Sequence, residues 1–408
     1  GALVGLKLVN ETAESTAVLE LGIHRGFQLP DVQPSKSGVH LRYEVRAMQQ
    51  QDTRLLYEKL PRAQMFARVN RLDRIAYGSD TPRFLIAAAG KAFADVIAAL
   101  EALEISEEDA RAAGIGVYKI ALIFPLDPVP LSNAARDAVE ILFIEEKRAQ
   151  CEVQARNLLY NAPRRPVVSG KTNPDGSPGL AADRPLDMLD VALYVAARLE
   201  AALPGIAESL PQLSASVAAL RCRAVPPAPP IAARRPGFCP GCPHNNSTKV
   251  PENSFGATGI GCHGMVMFHP DRRPLPMGQM GGEGANWIGL APFTGTGHIF
   301  QNLGDGTYSH SGSLAIRAAV AAGINITYKI LFNDAVAMTG GQPVEGALTI
   351  GRIVRQVAAE GVTRIVVLSE DPHRLARVDP LPAGIELRHR DHLSLVQEEL
   401  RHHPGTSV

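Results

Sequence analysis

Two blocks of apolar runs, each followed by segments of helical period, set what this chain can fold into. In the first block Phe84–Ala89, Gly116–Phe124 and Val139–Ile144 are dominated by apolar residues and show no strict polar alternation. Runs of that kind belong to strands buried on both faces, as in a parallel sheet covered by helices on either side. Helical spacing over Phe93–Leu103, Ala134–Ala138 and residues 186–201 supplies the cover. The second block repeats the alternation, with strands expected at His298–Leu303, Asn325–Phe332, Arg364–Leu368 and Ile385–Arg388. Helices are expected at about 309–322, 349–360 and 393–401. The fold class is therefore α/β, with two doubly wound parallel-sheet domains.

Between the blocks, residues 224–236 (Ala-Val-Pro-Pro-Ala-Pro-Pro-Ile-Ala-Ala-Arg-Arg-Pro) form a Pro-rich linker of polyproline character. The expected organisation is 1–80 as a connecting segment, 81–205 as the first α/β domain, 206–236 as helix and linker, and 237–408 as the second domain. Residues 3–16 read as a short helix and the rest of 1–80 as polar and irregular. The opening Gly1-Ala-Leu-Val-Gly-Leu lacks an initiator Met and starts mid-pattern, as if chain preceded it.

Composition narrows the partners. Lys plus Arg equals Asp plus Glu at 41 each, so no global field favours nucleic acid or an anionic membrane. No run reaches the ~18 apolar residues that a membrane-spanning helix needs. Five cysteines are too few and too uneven for a disulfide scaffold. Three of them, Cys239, Cys242 and Cys262, crowd into one stretch, which in a reducing cytoplasmic setting reads as metal binding or redox chemistry.

The most informative stretch is Gly304-Asp305-Gly306, followed after 26 residues by Asn333-Asp334. The apolar run before it puts the Gly-Asp-Gly turn at a strand's carboxyl end. Glycines there let backbone N–H groups approach a phosphate closely. A helix starting near Ser309 aims its positive end at the same point. Asp305 and the Asn333 carboxamide are hard oxygen donors suited to Mg²⁺, whose remaining positions phosphate and water can fill. One helix and one strand separate them, so a βαβ crossover returns Asn333 to the sheet edge that carries Asp305. Thr339-Gly340-Gly341-Gln342 follows at once.

These motifs resemble the signature of thiamine diphosphate enzymes. Met338-Thr339-Gly340-Gly341-Gln342, Phe238-Cys-Pro-Gly-Cys-Pro-His-Asn, Gly259-Ile-Gly-Cys-His and Gly281-Gly-Glu-Gly-Ala-Asn-Trp are similar to the large indolepyruvate ferredoxin oxidoreductases, within the 2-oxoacid:ferredoxin oxidoreductase family. The resemblance is specific over about 236–371 and implies a thiamine diphosphate (diphosphate-binding) domain at 237–408. It is looser over 83–200, which looks like a transketolase C-terminal-like domain. Residues 1–80 look like the tail of a pyrimidine-binding domain.

The resemblance implies Mg²⁺ ligands at Asp305, Asn333 and the backbone carbonyl of Ala335. It places Gly304, Gly306, Thr339, Gly340 and Gly341 along the diphosphate, and Gly281, Gly282, Glu283 and Asn286 near the aminopyrimidine. It further implies oxidative decarboxylation of 2-oxoacids, such as aryl pyruvates, to acyl-CoA with electrons passed to ferredoxin. Coenzyme A is then a co-substrate, and a cytoplasmic homodimer is expected. The chain reads as the cofactor-binding part of a longer enzyme, inactive alone. A non-oxidative thiamine decarboxylase or synthase, and a cofactor-less interaction module, stand as the other readings.

In such enzymes a Cys-x-x-Cys hook and a Gly-x-Gly-Cys cysteine give three of four ligands to an iron–sulfur cluster. Here Cys239, Cys242 and Cys262 match them, and no cysteine follows. A cluster, a zinc site completed by His244 or His263, and uncoordinated thiols are all compatible with this pattern. His310, just past the phosphate turn, is the candidate catalytic histidine. Gly259–Gly264 also fits G-x-G-x-x-G, but no buried strand is expected before it, which argues against a dinucleotide site.

Overall fold

A computed structural model describes residues 4–16, 18, 26–32, 48–223, 236–344, 346 and 348–408. It divides into two compact units, 1–228 and 229–408. The Pro-rich stretch, apart from Pro236, lies outside the described residues.

Unit 1 is built on strands β1 (Arg74–Gly78), β2 (Phe84–Ala89), β3 (Ile115–Ile120), β4 (Glu140–Ile144) and β5 (Val167–Ser169), in the order β1-β3-β2-β4-β5. β3, β2, β4 and β5 run parallel, and β1 closes one edge antiparallel to β3. All but the last residue of β2 are buried, as expected of a central strand covered on both faces. On one face Val96, Leu100, Val191, Val195 and Leu199, from helices Gly90–Ala102 and Met188–Ala202, pack on the sheet. On the other, Leu131 and Ala155, from Pro128–Ala134 and Cys151–Leu159, cover Leu85, Ile141 and Phe143. Each such buried aliphatic or aromatic side chain contributes roughly 1.5–3 kcal/mol. A buried ion pair threads this core. Glu140 on β4 accepts the Nε–H and an Nη2–H of Arg198, at 2.8 and 2.7 Å, and also accepts the Ser169 hydroxyl.

Several local expectations need correcting. The helix expected over 3–16 is confined to Asn10–Ala13; residues 4–8 before it are exposed and non-helical. The stretch read as irregular contains a helical run from Met48 through Val69. Its polar face hid it, and it is tied down by Arg68, which bonds Asp127 at 2.7 and 3.0 Å. The helix expected at Ala134–Ala138 lies earlier, at Pro128–Ala134. There Asp127 caps it and Pro128 opens it. β3 ends at Ile120 rather than Phe124.

Unit 2 carries β6 (Gly256–Ala257), β7 (Pro274–Leu275), β8 (Ile299–Gly304), β9 (Ile326–Leu331) and β14 (Thr406–Ser407), in the order β14-β9-β8-β6-β7 with every neighbour parallel. Between β9 and β14 in sequence come a hairpin, β10 (Ala335–Val336) with β11 (Gln342–Pro343), and a parallel pair, β12 (Val366–Ser369) with β13 (Glu386–His389). A single bridge from Arg364 to Ser407 connects that pair to the main sheet. Tyr308, Ile316, Ile353 and Val357 pack against Leu303, Ile326 and Tyr328 in one core.

The short β6 overturns one expectation: the segment before Gly259 does enter the sheet. A short strand and a turn therefore lead into Cys262, where a 3-10 helix, Cys262–Phe268, begins. The two parallel-sheet units otherwise have the α/β class read from the sequence. Among the described residues no helix is long and apolar enough to cross a membrane.

Candidate functional site

β8 and β9 are adjacent and parallel over their whole length, with Gly304 opposite Leu331 at their carboxyl ends. The crossover between them includes the helix Ser313–Ala322. This register brings two loops together that are distant along the chain. The helical run after β8 begins at Asp305, not near Ser309, and passes through a π turn, Tyr308–Gly312. A carboxylate at the first helical residue is favoured by the unpaired N–H groups there.

Asp305 is 3% exposed and spans the two loops. Its Oδ1 accepts the Gly306 N–H at 2.8 Å. Its Oδ2 accepts the N–H groups of Asn333 at 2.9 Å and Asp334 at 2.7 Å. Charge-assisted bonds of this kind are roughly twice as strong as neutral ones. Asp334 adopts a left-handed φ of 56°, turning the chain so that both amides face one oxygen. Asn333 Oδ1 accepts the Ala335 N–H at 3.2 Å. A carboxylate offers about four acceptor positions, so Asp305 Oδ1 keeps one open, and Asn333 Oδ1 keeps a lone pair. Two hard oxygens with residual capacity, held beside a turn rich in N–H groups, fit a small divalent cation together with a diphosphate.

The hairpin β10–β11 carries Thr339, Gly340 and Gly341 at its exposed tip. The Thr339 hydroxyl bonds Gln342 Oε1 at 2.8 Å, and the Gly341 N–H bonds the Val336 carbonyl at 3.0 Å. Its base packs on the acidic turn: a Cβ at Gly306 would stand 3.1 Å from Val336 Cγ2.

A third loop joins from the other side. Glu283 is 1% exposed, and its carboxylate accepts N–H groups from Ile260 at 3.3 Å and Gly281 at 2.7 Å. It thus staples the Gly259–Gly261 loop to the Gly281–Gly284 loop. Gly281 has φ of +87°, and any Cβ there would run into Ser311 Oγ. Ser311 in turn bonds His310 Nδ1 at 2.6 Å, and the His310 ring is exposed. Gly282 and Asn286 lie on the same loop and the helix after it, with Asn286 exposed.

Several residues around the site had no role in the sequence reading. Tyr328 is buried, and its hydroxyl bonds the Glu283 carbonyl at 3.1 Å and the Ala315 carbonyl at 3.3 Å. Lys329, beside it on β9, gives its ammonium to the carbonyls of Ser247 at 2.6 Å and Lys249 at 3.2 Å and to Gln397 Oε1 at 3.0 Å. Burial pushes its pKa down to about 7. A lysine inside the apolar run 325–332 was the available signal. His263 is 2% exposed, and its Nε2 has no hydrogen-bond partner among the described residues; burial pushes its pKa down to about 4, helped by nearby His244 and Lys329. Its ring meets His244 edge-on at 5.9 Å, and a Cβ at Gly304 would be 3.6 Å from its Cε1. His244 is lowered by burial, against the pull of Asp305.

The cysteines are not gathered in the same way. Cys239 is exposed, Cys242 and Cys262 are half-buried, and all three are free thiols. Among the described residues no three His, Cys, Asp or Glu side chains stand close enough to hold a metal ion together.

Both units are α/β folds, and unit 2 joins an acidic turn to an Asn-Asp loop at adjacent strand ends. Residues 74–222 match the family model of the indolepyruvate oxidoreductase domain. Three curated relatives are named indolepyruvate oxidoreductase subunit IorA. The protein of Thermococcus kodakarensis is 25% identical over 66% of this chain and 41% of its own length. That of Methanothermobacter thermautotrophicus is 24% identical over 72% and 44%. That of Methanothermobacter marburgensis is 29% identical over 34% and 24%. The chain is thus related, at low identity, to the indolepyruvate oxidoreductases, as its motifs suggest. It spans less than half the length of these relatives.

Among solved structures, a benzoylformate decarboxylase from Polynucleobacter necessarius aligns with a TM-score of 0.31 and 15% identity, over 81% of this chain and 61% of that one. A split-gene transketolase, described as an inactive β4 tetramer, aligns at 0.20 and 18%, over 36% and 41%.

Proposed function

We propose that this chain is the thiamine diphosphate- and Mg²⁺-binding part of a 2-oxoacid oxidoreductase of the indolepyruvate ferredoxin type. The full enzyme would decarboxylate aryl pyruvates oxidatively, form acyl-CoA and pass electrons to ferredoxin, as a homodimer in the cytoplasm. The observation that carries the reading is the joining of Asp305 to the Asn333-Asp334 loop at the carboxyl ends of β8 and β9. In open α/β sheets ligands bind in that position.

Asp305 Oδ1, Asn333 Oδ1 and the Ala335 carbonyl would hold the Mg²⁺, while Asp305 Oδ2 keeps the second loop in place. Gly304, Gly306 and the Thr339-Gly340-Gly341 tip would line the diphosphate. Gly281, Gly282, Glu283 and Asn286 would flank the aminopyrimidine, on a loop fixed by Glu283 and Tyr328. His310, whose Nδ1 is engaged by Ser311, would present Nε2 to hold or deliver a proton at the substrate. Thiamine itself would supply the carbanion-stabilising electron sink.

Equilibrium dialysis of the full chain against thiamine diphosphate tests the reading. Saturable binding of one cofactor per chain, abolished when Mg²⁺ is chelated, is expected. Absence of binding with Mg²⁺ present, or binding indifferent to the metal, would overturn it.

A further inference from the structure

Two cations close on one short segment of unit 2. Residues 238–249 run from the Cys239–Cys242 turn through a short helix, His244–Ser247. The segment's backbone bonds are local: the Asn245 N–H reaches the Cys242 carbonyl at 3.0 Å, and the Thr248 N–H the His244 carbonyl at 3.2 Å. Thr248 alone among its residues is buried. A single helical turn with so little burial does not hold its place unaided.

The cations supply the fastening from two directions. Arg272, from the turn Pro270–Arg272 ahead of β7, gives Nη1–H to the Asn245 carbonyl and to Thr248 Oγ1, both at 2.9 Å. Its Nη2–H goes to Asn245 Oδ1 at 2.6 Å. The same guanidinium lies 5.5 Å over the Phe238 ring. Lys329, 82 residues beyond Ser247 on β9, gives its ammonium to the Ser247 and Lys249 carbonyls and to Gln397 on the helix Leu393–Leu400. Carbonyls at the carboxyl end of a helix turn lack partners within it, and cations satisfy them well. The fastened segment reaches the candidate site, because His244 meets His263 edge-on at 5.9 Å and His263 packs under Gly304.

We propose that Lys329 and Arg272 are positioning residues that together set the distance between the Cys239–Cys242 turn and the Asp305 turn. The role is the same whether the two sulfurs are free or bound to metal. The clamp stands on its own contacts; its bearing on the cofactor rests on the function proposed above.

The test compares the full chain with Lys329→Met, Arg272→Met, the conservative Lys329→Arg, and Arg273→Met, whose side chain bonds Asn253 instead of the segment. All are run at about pH 6, below the lowered Lys329 pKa of about 7, so that the ammonium is charged. In the first arm, hydrogen exchange is followed at residues 245–249. Lys329→Met and Arg272→Met should each speed it by about tenfold or more, with β8 and β9 unchanged. Lys329→Arg should keep most of the protection, and Arg273→Met should change nothing. In the second arm, Cys239 carries a nitroxide in a Cys222→Ser, Cys242→Ser, Cys262→Ser background, and Mn²⁺ is added with thiamine diphosphate. The Mn²⁺–nitroxide distance should be narrowly distributed in that parent and wider once Lys329→Met or Arg272→Met is added.

Unchanged exchange in both variants, or a rise no larger than in Arg273→Met, would overturn the proposal. So would an unaltered distance distribution where exchange does rise, since the cations would then stabilise the segment without positioning it. Failure of Mn²⁺ and thiamine diphosphate to bind the parent would count against the proposed function alone, and the exchange arm would still decide the clamp.

Discussion

The carboxylate of Asp305 accepts the backbone N–H of Asn333 at 2.9 Å across 28 residues of chain, and the N–H of Asp334 at 2.7 Å. One side chain therefore fixes the shape of a loop on the neighbouring strand while keeping acceptor capacity on its other oxygen.

Breaking the Glu283 staple should loosen two loops at once. Glu283→Ala removes the buried carboxylate that the N–H groups of exposed Ile260 and half-buried Gly281 share, so the cost falls at the low end of the range for a lost buried partner. An unsatisfied buried donor costs about 1–3 kcal/mol. Thermal unfolding should fall accordingly, and hydrogen exchange should quicken at Ile260 and Gly281 before it does in β8. Unchanged exchange at both amides would contradict the staple.

Gly281→Ala tests the contact between the loop and the π turn. The new Cβ meets Ser311 in a backbone conformation that L residues avoid. A cost of about 1–3 kcal/mol is expected from strain and overpacking. The double variant with Ser311→Gly should recover the overpacking part only, a partial rescue visible as a smaller drop in urea midpoint.

In unit 1, Arg198→Met strands Glu140, which is 2% exposed, without its bidentate partner. Removing one member of a buried pair costs about 3–5 kcal/mol. Adding Glu140→Gln should restore most of it, as a denaturation series would show.

Unit 2 should lose stability in mild acid. Burial holds His263 and His298 neutral, each pushed down from 6.5 to about 4. Between those values the unfolded chain binds protons that the folded chain does not, so stability rises with pH across the window and falls as pH drops through it. Each shift corresponds to about 3 kcal/mol once the pH is below 4. His263→Gln with His298→Gln should flatten the slope between pH 6.5 and 4.

The sequence carried the alternation of strands and helices because β2, β4, β8 and β9 are apolar enough to be seen without partners. It also carried the meeting of Asp305 and Asn333, since one helix and one strand between them leave a single right-handed crossover. The helical run 48–69 escaped because its ordering comes from Arg68 on Asp127, a contact 59 residues away. β6 and β14 escaped because two-residue strands have no period to read. Lys329 and His263 owe their character to burial and to partners more than 60 residues off or absent, which no local pattern encodes.

The most direct test is calorimetric titration of thiamine diphosphate with Mg²⁺ into the wild-type chain and into Asp305→Asn, which can still accept one N–H but no longer offers a charged metal ligand. The account predicts Mg²⁺-dependent binding to the wild type and a loss of more than about tenfold in affinity in the variant. Equal affinity in the two proteins would contradict it.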